Sequence, residues 1–164
     1  MPSILFVCTA NRFRSPLASL YFAREVVQHG DDQEFRVASV GTWTKPGEPA
    51  MPRAVQIAEE HDLNLTYHKS RLVNREMLSQ ADLILVMDSG HKESLTHEFP
   101  NISSRTFLLT EAIGEPPTDI ADPYTSDASA SHVAEEIIKI IDQGYQKIIA
   151  LAREMAIEKG KGDS

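Results

Sequence analysis

The chain of 164 residues and 18.2 kDa is long enough for one well-packed domain, and 41% hydrophobic with 24% charged residues is a globular composition. A single cysteine excludes a disulfide framework and any zinc site built on several cysteines, and it fits a reducing, cytoplasmic setting. The net charge of −8 argues against nucleic acid as a partner, and the lack of a basic leader or a long apolar run argues against a signal peptide and membrane insertion.

In chain order, the apolar run Ile4 to Val7 reads as a buried strand over Ser3 to Cys8. The stretch Cys8-Thr9-Ala10-Asn11-Arg12-Phe13-Arg14-Ser15-Pro16 follows, with Ser15 as N-cap and Pro16 as first residue of a helix to about His29, closed by Gly30. Phe35 to Ser39 is a second strand and Arg53 to His61 a second helix. Asp82 to Met87 is a third strand, then a helix near His91 to Glu98 with Asp88 at its N-cap, then a short strand from Arg105 to Leu109. From Ser131 to Lys159, Val133, Ile137, Ile141, Ile148, Ala152 and Met155 fall at helical spacing, and Gly160 is placed to end that helix. Alternating strands and helices predict an α/β three-layer sandwich, a central four-stranded parallel sheet with helices on both faces. Residues 1–158 read as one domain and 159–164 as a frayed polar tail.

The segment from Cys8 to Pro16 is therefore a short loop from a strand end to a helix start. Backbone N–H groups in such a loop converge on an anion, the helix dipole favours negative charge there, and the same field favours a thiolate. Arg14 adds a planar, always-charged fork suited to phosphate. Taken alone, a lone cysteine in a first strand is a small hydrophobe and an arginine a surface charge. Asp122-Pro123-Tyr124 lies far downstream, where by itself Asp-Pro reads as a turn former, and ligands in open α/β sheets sit beyond the carboxyl ends of the strands. Cys8, Thr42-Trp43, Asp88 and the Asp122 loop all follow predicted strands.

With its C-x5-R-S loop near the N-terminus and Asp-Pro-Tyr towards the C-terminus, the chain resembles the low-molecular-weight protein tyrosine phosphatase family. Ser39-Val40-Gly41-Thr42-Trp43, His68-Lys69-Ser70-Arg71 and the strand ending at Asp88 extend the resemblance over nearly the whole chain. It implies a Rossmann-like or flavodoxin-like fold and hydrolysis of phosphotyrosine in a protein substrate through a cysteinyl-phosphate intermediate, without cofactor or metal. Cys8 is then the nucleophile, and Arg14 with the amides of Thr9, Ala10, Asn11, Arg12 and Phe13 holds the phosphate oxygens. Asp122 serves as general acid and then base. Asp119 and Asp127 lie close by, and the family pattern singles out Asp122.

Supporting roles follow by the same resemblance. Ser15 caps the helix, donates to the Cys8 sulfur, or both. Asn11 suits a left-handed position in mid-loop and is tied to Ser39 and His68, with an exposed loop histidine as the plainer reading of His68. Trp43 and Tyr124 wall the pocket, Trp43 being placed at the rim by its predicted loop. Three departures stand out. Phe13 occupies the place of a second loop cysteine, so no reversible intramolecular disulfide forms. Ala10 replaces a glycine, at a cost of about 1 kcal/mol if that residue needs positive φ. Arg12 replaces an aliphatic or small residue and favours acidic phosphopeptides over phosphoarginine. The alternatives are a protein arginine phosphatase and an inactive phosphate-binding module.

Overall fold

The computed structural model describes residues 1–162. Four strands, β1 (Ser3–Cys8), β2 (Arg36–Gly41), β3 (Leu83–Val86) and β4 (Thr106–Leu108), form a parallel sheet in the order β2-β1-β3-β4. The helices are α1 (Arg14–Gln28), α2 (Pro52–Glu60), α3 (Arg75–Gln80), α4 (Ser89–Glu98), α5 (Leu109–Ala112) and α6 (Ala130–Gly162), with a 3-10 helix over Pro100–Arg105.

Side-chain alternation along β1 divides the core. Ile4, Phe6 and Cys8 face one layer with Leu17 and Phe22 of α1, Ala54 and Ile57 of α2, Leu109 of α5, and Val133, Ile137, Ile141 and Ile148 of α6. Leu5 and Val7 face the other with Leu78 of α3, Leu95 of α4 and Ile102 of the 3-10 helix. Both faces of a central parallel strand must be covered, so β1 and β3 read as continuous apolar runs. The predicted three-layer architecture is the one observed.

Several boundaries differ from expectation. β2 runs on to Gly41 because Gly41 pairs with Cys8 across the β1–β2 ladder. α1 begins at Arg14, with Phe13 at the N-cap and no side-chain cap bond, so Ser15 is not the N-cap. Its hydroxyl is directed into the loop, and Leu17 N–H bonds the Phe13 carbonyl to close the first turn. α6 passes through Gly160 to Gly162, so residues 159–162 of the expected tail are helical; residues 163 and 164 lie outside the described residues. Lys159 pairs with Asp82 at 3.5 Å, and cations in the last turn suit the helix dipole. α3, α5 and the 3-10 helix were not anticipated, since elements of four to six residues are too short to show a period. α3 nonetheless carries a legible cap, Asn74 accepting from the Met77 N–H at 2.8 Å.

Candidate active site

Cys8 ends β1 only 2% exposed, and the loop after it turns through Asn11 at φ 58°. The left-handed residue is thus Asn11, which tolerates it, while Ala10 keeps an ordinary negative φ and incurs no such cost. The Asn11 side chain donates to Ser15 Oγ at 2.8 Å and Ser39 Oγ at 3.0 Å and accepts the Arg71 N–H at 3.0 Å. His68 Nε2 donates to the Asn11 carbonyl at 2.7 Å, so His68 is no free loop histidine. Burial pushes the His68 imidazole down, with Arg71 adding to the effect, against the Asn11 bond. The anticipated Asn11–Ser39–His68 cluster is present, with Ser15 and Arg71 added to it.

Ser15 Oγ lies 2.9 Å from Cys8 Sγ. Its lone pair takes the Asn11 Nδ2–H, so its own proton is available to the sulfur; the Val40 carbonyl, the competing acceptor, is farther at 3.4 Å. The loop also lies against the end of β2. Thr42 N–H bonds the Cys8 carbonyl at 2.9 Å and Trp43 N–H the Thr9 carbonyl at 3.0 Å. A Cβ on Gly41 would stand 2.5 Å from the Thr9 oxygen and 3.1 Å from Ala10 C and Asn11 N, so only glycine permits this approach. At the loop's outer edge Arg12 Nε donates to the Pro49 carbonyl at 2.7 Å, and Met51 N–H to the Arg12 carbonyl at 2.8 Å.

Arg14 is 3% exposed and spans three elements. Nη1 donates to Asp88 Oδ2 at 3.1 Å and the Ile120 carbonyl at 2.8 Å, while Nη2 lies 3.4 Å from Thr9 Oγ1 and 3.8 Å from Asp122 Oδ2. Asp88 does cap α4, accepting His91 N–H at 3.0 Å, but it also holds the arginine. Burial pushes the Asp88 carboxyl up, yet His91 and Arg14 beside it hold it below the ordinary carboxylate value. Asp122 Oδ1 accepts Tyr124 N–H at 2.9 Å, which shapes the turn and leaves Oδ2 facing the arginine. Asp119 is otherwise engaged, both oxygens taken by Ser89 N–H at 2.8 Å and Ser89 Oγ at 3.1 Å, and Asp127 is exposed.

Trp43 is 84% exposed at the rim rather than in the core, and Tyr124, 48% exposed, meets buried Phe13 edge-on with ring centroids 5.8 Å apart. Three participants were missed by sequence reasoning: Gly41 as the floor of the loop, the Ile120 carbonyl, and His91. His91 is 5% exposed, and its Nε2 lies 2.8 Å from Thr9 Oγ1. The signal for His91 was its place three residues after an N-cap, where a side chain can reach back to the cap. A separate groove of about 760 Å³, lined by Ser3, Arg36, Asp82 and Lys159, opens at the amino ends of β1 and β2, opposite Cys8. Among the described residues no group of three or more His, Cys, Asp or Glu gathers to hold a metal ion.

The profile of the family described as "low molecular weight phosphotyrosine protein phosphatase" matches residues 3–159. A probable low molecular weight protein-tyrosine-phosphatase EpsP of Ralstonia nicotianae is 32% identical over 93% of this chain and 97% of its own length. A protein-arginine-phosphatase of Geobacillus stearothermophilus is 30% identical over 88% of this chain and 95% of its own. Among solved structures, a YwlE mutant from Bacillus subtilis superposes with a TM-score of 0.81 at 28% identity, covering 95% of this chain and 99% of that one.

Proposed function

Since the chain belongs to the low-molecular-weight phosphotyrosine protein phosphatase family, we propose that it hydrolyses phosphotyrosine in proteins with Cys8 as nucleophile, Arg14 as phosphate ligand and Asp122 as general acid and base. One observation carries the assignment of roles. The sulfur of Cys8 lies within 2.9 Å of a hydroxyl that can donate to it, under a loop closed by a buried arginine whose far side faces Asp122 at 3.8 Å.

The thiolate attacks phosphorus in line while Asp122 transfers its proton to the departing phenolate oxygen, giving cysteinyl phosphate and a free phenol. Ionised Asp122 then takes a proton from water as that water attacks phosphorus, releasing inorganic phosphate and restoring the thiolate. The amides of residues 9–13 and Arg14 counter the charge on the three equatorial oxygens throughout. The Ser15 proton stabilises the sulfur both as nucleophile and as leaving group.

A second reading, hydrolysis of phosphoarginine, draws support from the arginine phosphatase relative. Arg12 speaks against it: anchored on the Pro49 carbonyl at the loop's edge, its guanidinium adds positive charge there and repels a guanidinium leaving group. An inactive phosphate-binding module is the third reading, and the presence of Cys8, Arg14 and Asp122 together speaks against it. Negative net charge and one cysteine support a cytoplasmic protein that does not engage nucleic acid. Among the described residues no helix is long and apolar enough to cross a membrane.

The test is p-nitrophenyl phosphate hydrolysis in EDTA by wild type, Cys8→Ser and Asp122→Ala, followed by phosphotyrosine and phosphoarginine peptides. Turnover abolished by Cys8→Ser, cut about 10²-fold or more by Asp122→Ala, and faster on phosphotyrosine is expected. An inactive, reduced wild type would overturn the enzyme reading, and faster phosphoarginine cleavage would overturn the substrate class.

A further inference from the structure

We propose that His91 is a positioning residue of the phosphate loop: its ring fixes the Thr9 hydroxyl beside Arg14 and couples the loop's grip on phosphate to acidity. The inference rests on the phosphatase reading above.

His91 lies in the first turn of α4, yet its ring is buried and points back towards the loop after β1. Nδ1 accepts the Asp88 backbone N–H at 3.2 Å. That donor can only donate, so Nδ1 carries the lone pair and the ring proton sits on Nε2. Nε2–H therefore donates to Thr9 Oγ1, 2.8 Å away, and Arg14 Nη2 approaches the same oxygen at 3.4 Å. With both lone pairs of Thr9 engaged, its rotamer is set and its own proton is directed away from the two nitrogens. A capping role alone requires only the Nδ1 contact. The Nε2 contact crosses 82 positions to the residue next to the nucleophile, which a cap has no need of.

Protonation at Nδ1 would undo this arrangement. The acceptor for the Asp88 N–H is lost, and the new N–H faces Asp88 Oδ1 at 3.3 Å, competing for the carboxylate that holds Arg14. It also sets a second positive charge near the guanidinium. Burial and Arg14 oppose that protonation, whereas Asp88, Asp122 and Asp119 favour it, and the balance leaves the ring pushed down to about 4. His91 is thus neutral near pH 7, and its effect emerges on acidification.

The experiment follows inorganic phosphate binding through fluorescence of Trp43, the only tryptophan and exposed at the rim, between pH 4 and 7, alongside kcat/KM for p-nitrophenyl phosphate. His91→Ala should weaken phosphate binding and lower kcat/KM about tenfold at pH 7, as expected for loss of a buried hydrogen-bond donor. His91→Gln, a neutral donor that does not titrate, should restore both to within about threefold and lose the wild type's weakening below about pH 5. Thr9→Val, which leaves His91 in place, should reproduce the alanine effect, and the double variant should add little to it. Equal phosphate affinity and equal pH profiles for wild type, His91→Ala and Thr9→Val, with Cys8→Ser still abolishing turnover, overturn the role of His91 alone. A wild type that neither binds phosphate nor turns over substrate overturns the phosphatase reading and this inference with it.

Discussion

Gly41→Ala is the most exacting test of how the loop is held. Its new Cβ would lie 2.5 Å from the Thr9 carbonyl oxygen and 3.1 Å from two further backbone atoms, none of which can rotate aside as a side chain would. Thr42 N–H to the Cys8 carbonyl and Trp43 N–H to the Thr9 carbonyl, at 2.9 and 3.0 Å, pin the two segments at this separation. To bring the closest contact out to 3.0 Å, residues 9–11 must withdraw by half an ångström, carrying their amides with them. Overpacking of this kind costs about 1–3 kcal/mol, and in a chain of this size each kcal/mol lowers Tm by about 2–4 °C. The effect on rate should be larger, because misplacing a reacting group by about 1 Å costs about 10²-fold, and here several phosphate donors move together. A fall in kcat/KM of about 10–100-fold is expected, read with p-nitrophenyl phosphate in EDTA beside thermal melts. Gly160→Ala, with nothing within 4 Å of its Cβ, is the control and should leave both unchanged or slightly raise Tm. A folded Gly41→Ala protein with kcat/KM within about twofold of wild type would refute the claim that β2 sets the loop's position.

Asn11 permits a separation of backbone and side-chain contributions. Asn11→Gly keeps the left-handed turn and loses the bonds to Ser15, Ser39 and Arg71, whereas Asn11→Ala loses both. Denaturant melts should show alanine less stable than glycine by about 1 kcal/mol, and equal stabilities would contradict the φ argument. Stability should also depend on pH through His91, whose folded value of about 4 lies below its ordinary 6.5. Above pH 6.5 neither state binds the proton; between 6.5 and 4 the unfolded chain takes it up and the folded chain does not, so stability falls by roughly 3 kcal/mol in all and no further below 4. Urea unfolding at pH 7 and 4.5 should show a smaller loss for His91→Gln than for wild type, and parallel losses would exclude the histidine as the cause.

What the sequence determined by itself was whatever is written locally. The apolar run before Cys8, the Cys-x5-Arg spacing, the presence of a helix directly after that loop and the periodicity of α6 each reflect interactions within a few residues, and these located the fold class and the loop. Asn11 was legible as a left-handed residue for the same reason. The tertiary structure decided how distant segments meet. Parallel strands in the order β2-β1-β3-β4 bring four strand ends to one edge, and only that ordering places Asp88 on Arg14 across 74 positions, Arg71 N–H on Asn11, and the ring of His91 on Thr9. It also turned Ser15 from an expected cap into a partner of the sulfur, because α1 starts two residues earlier than the Ser-Pro pair implies and the amides of a helix end can be satisfied without a side chain. The requirement for glycine at position 41 arises in the same way, from a backbone-to-backbone approach between β2 and the loop that no local pattern records.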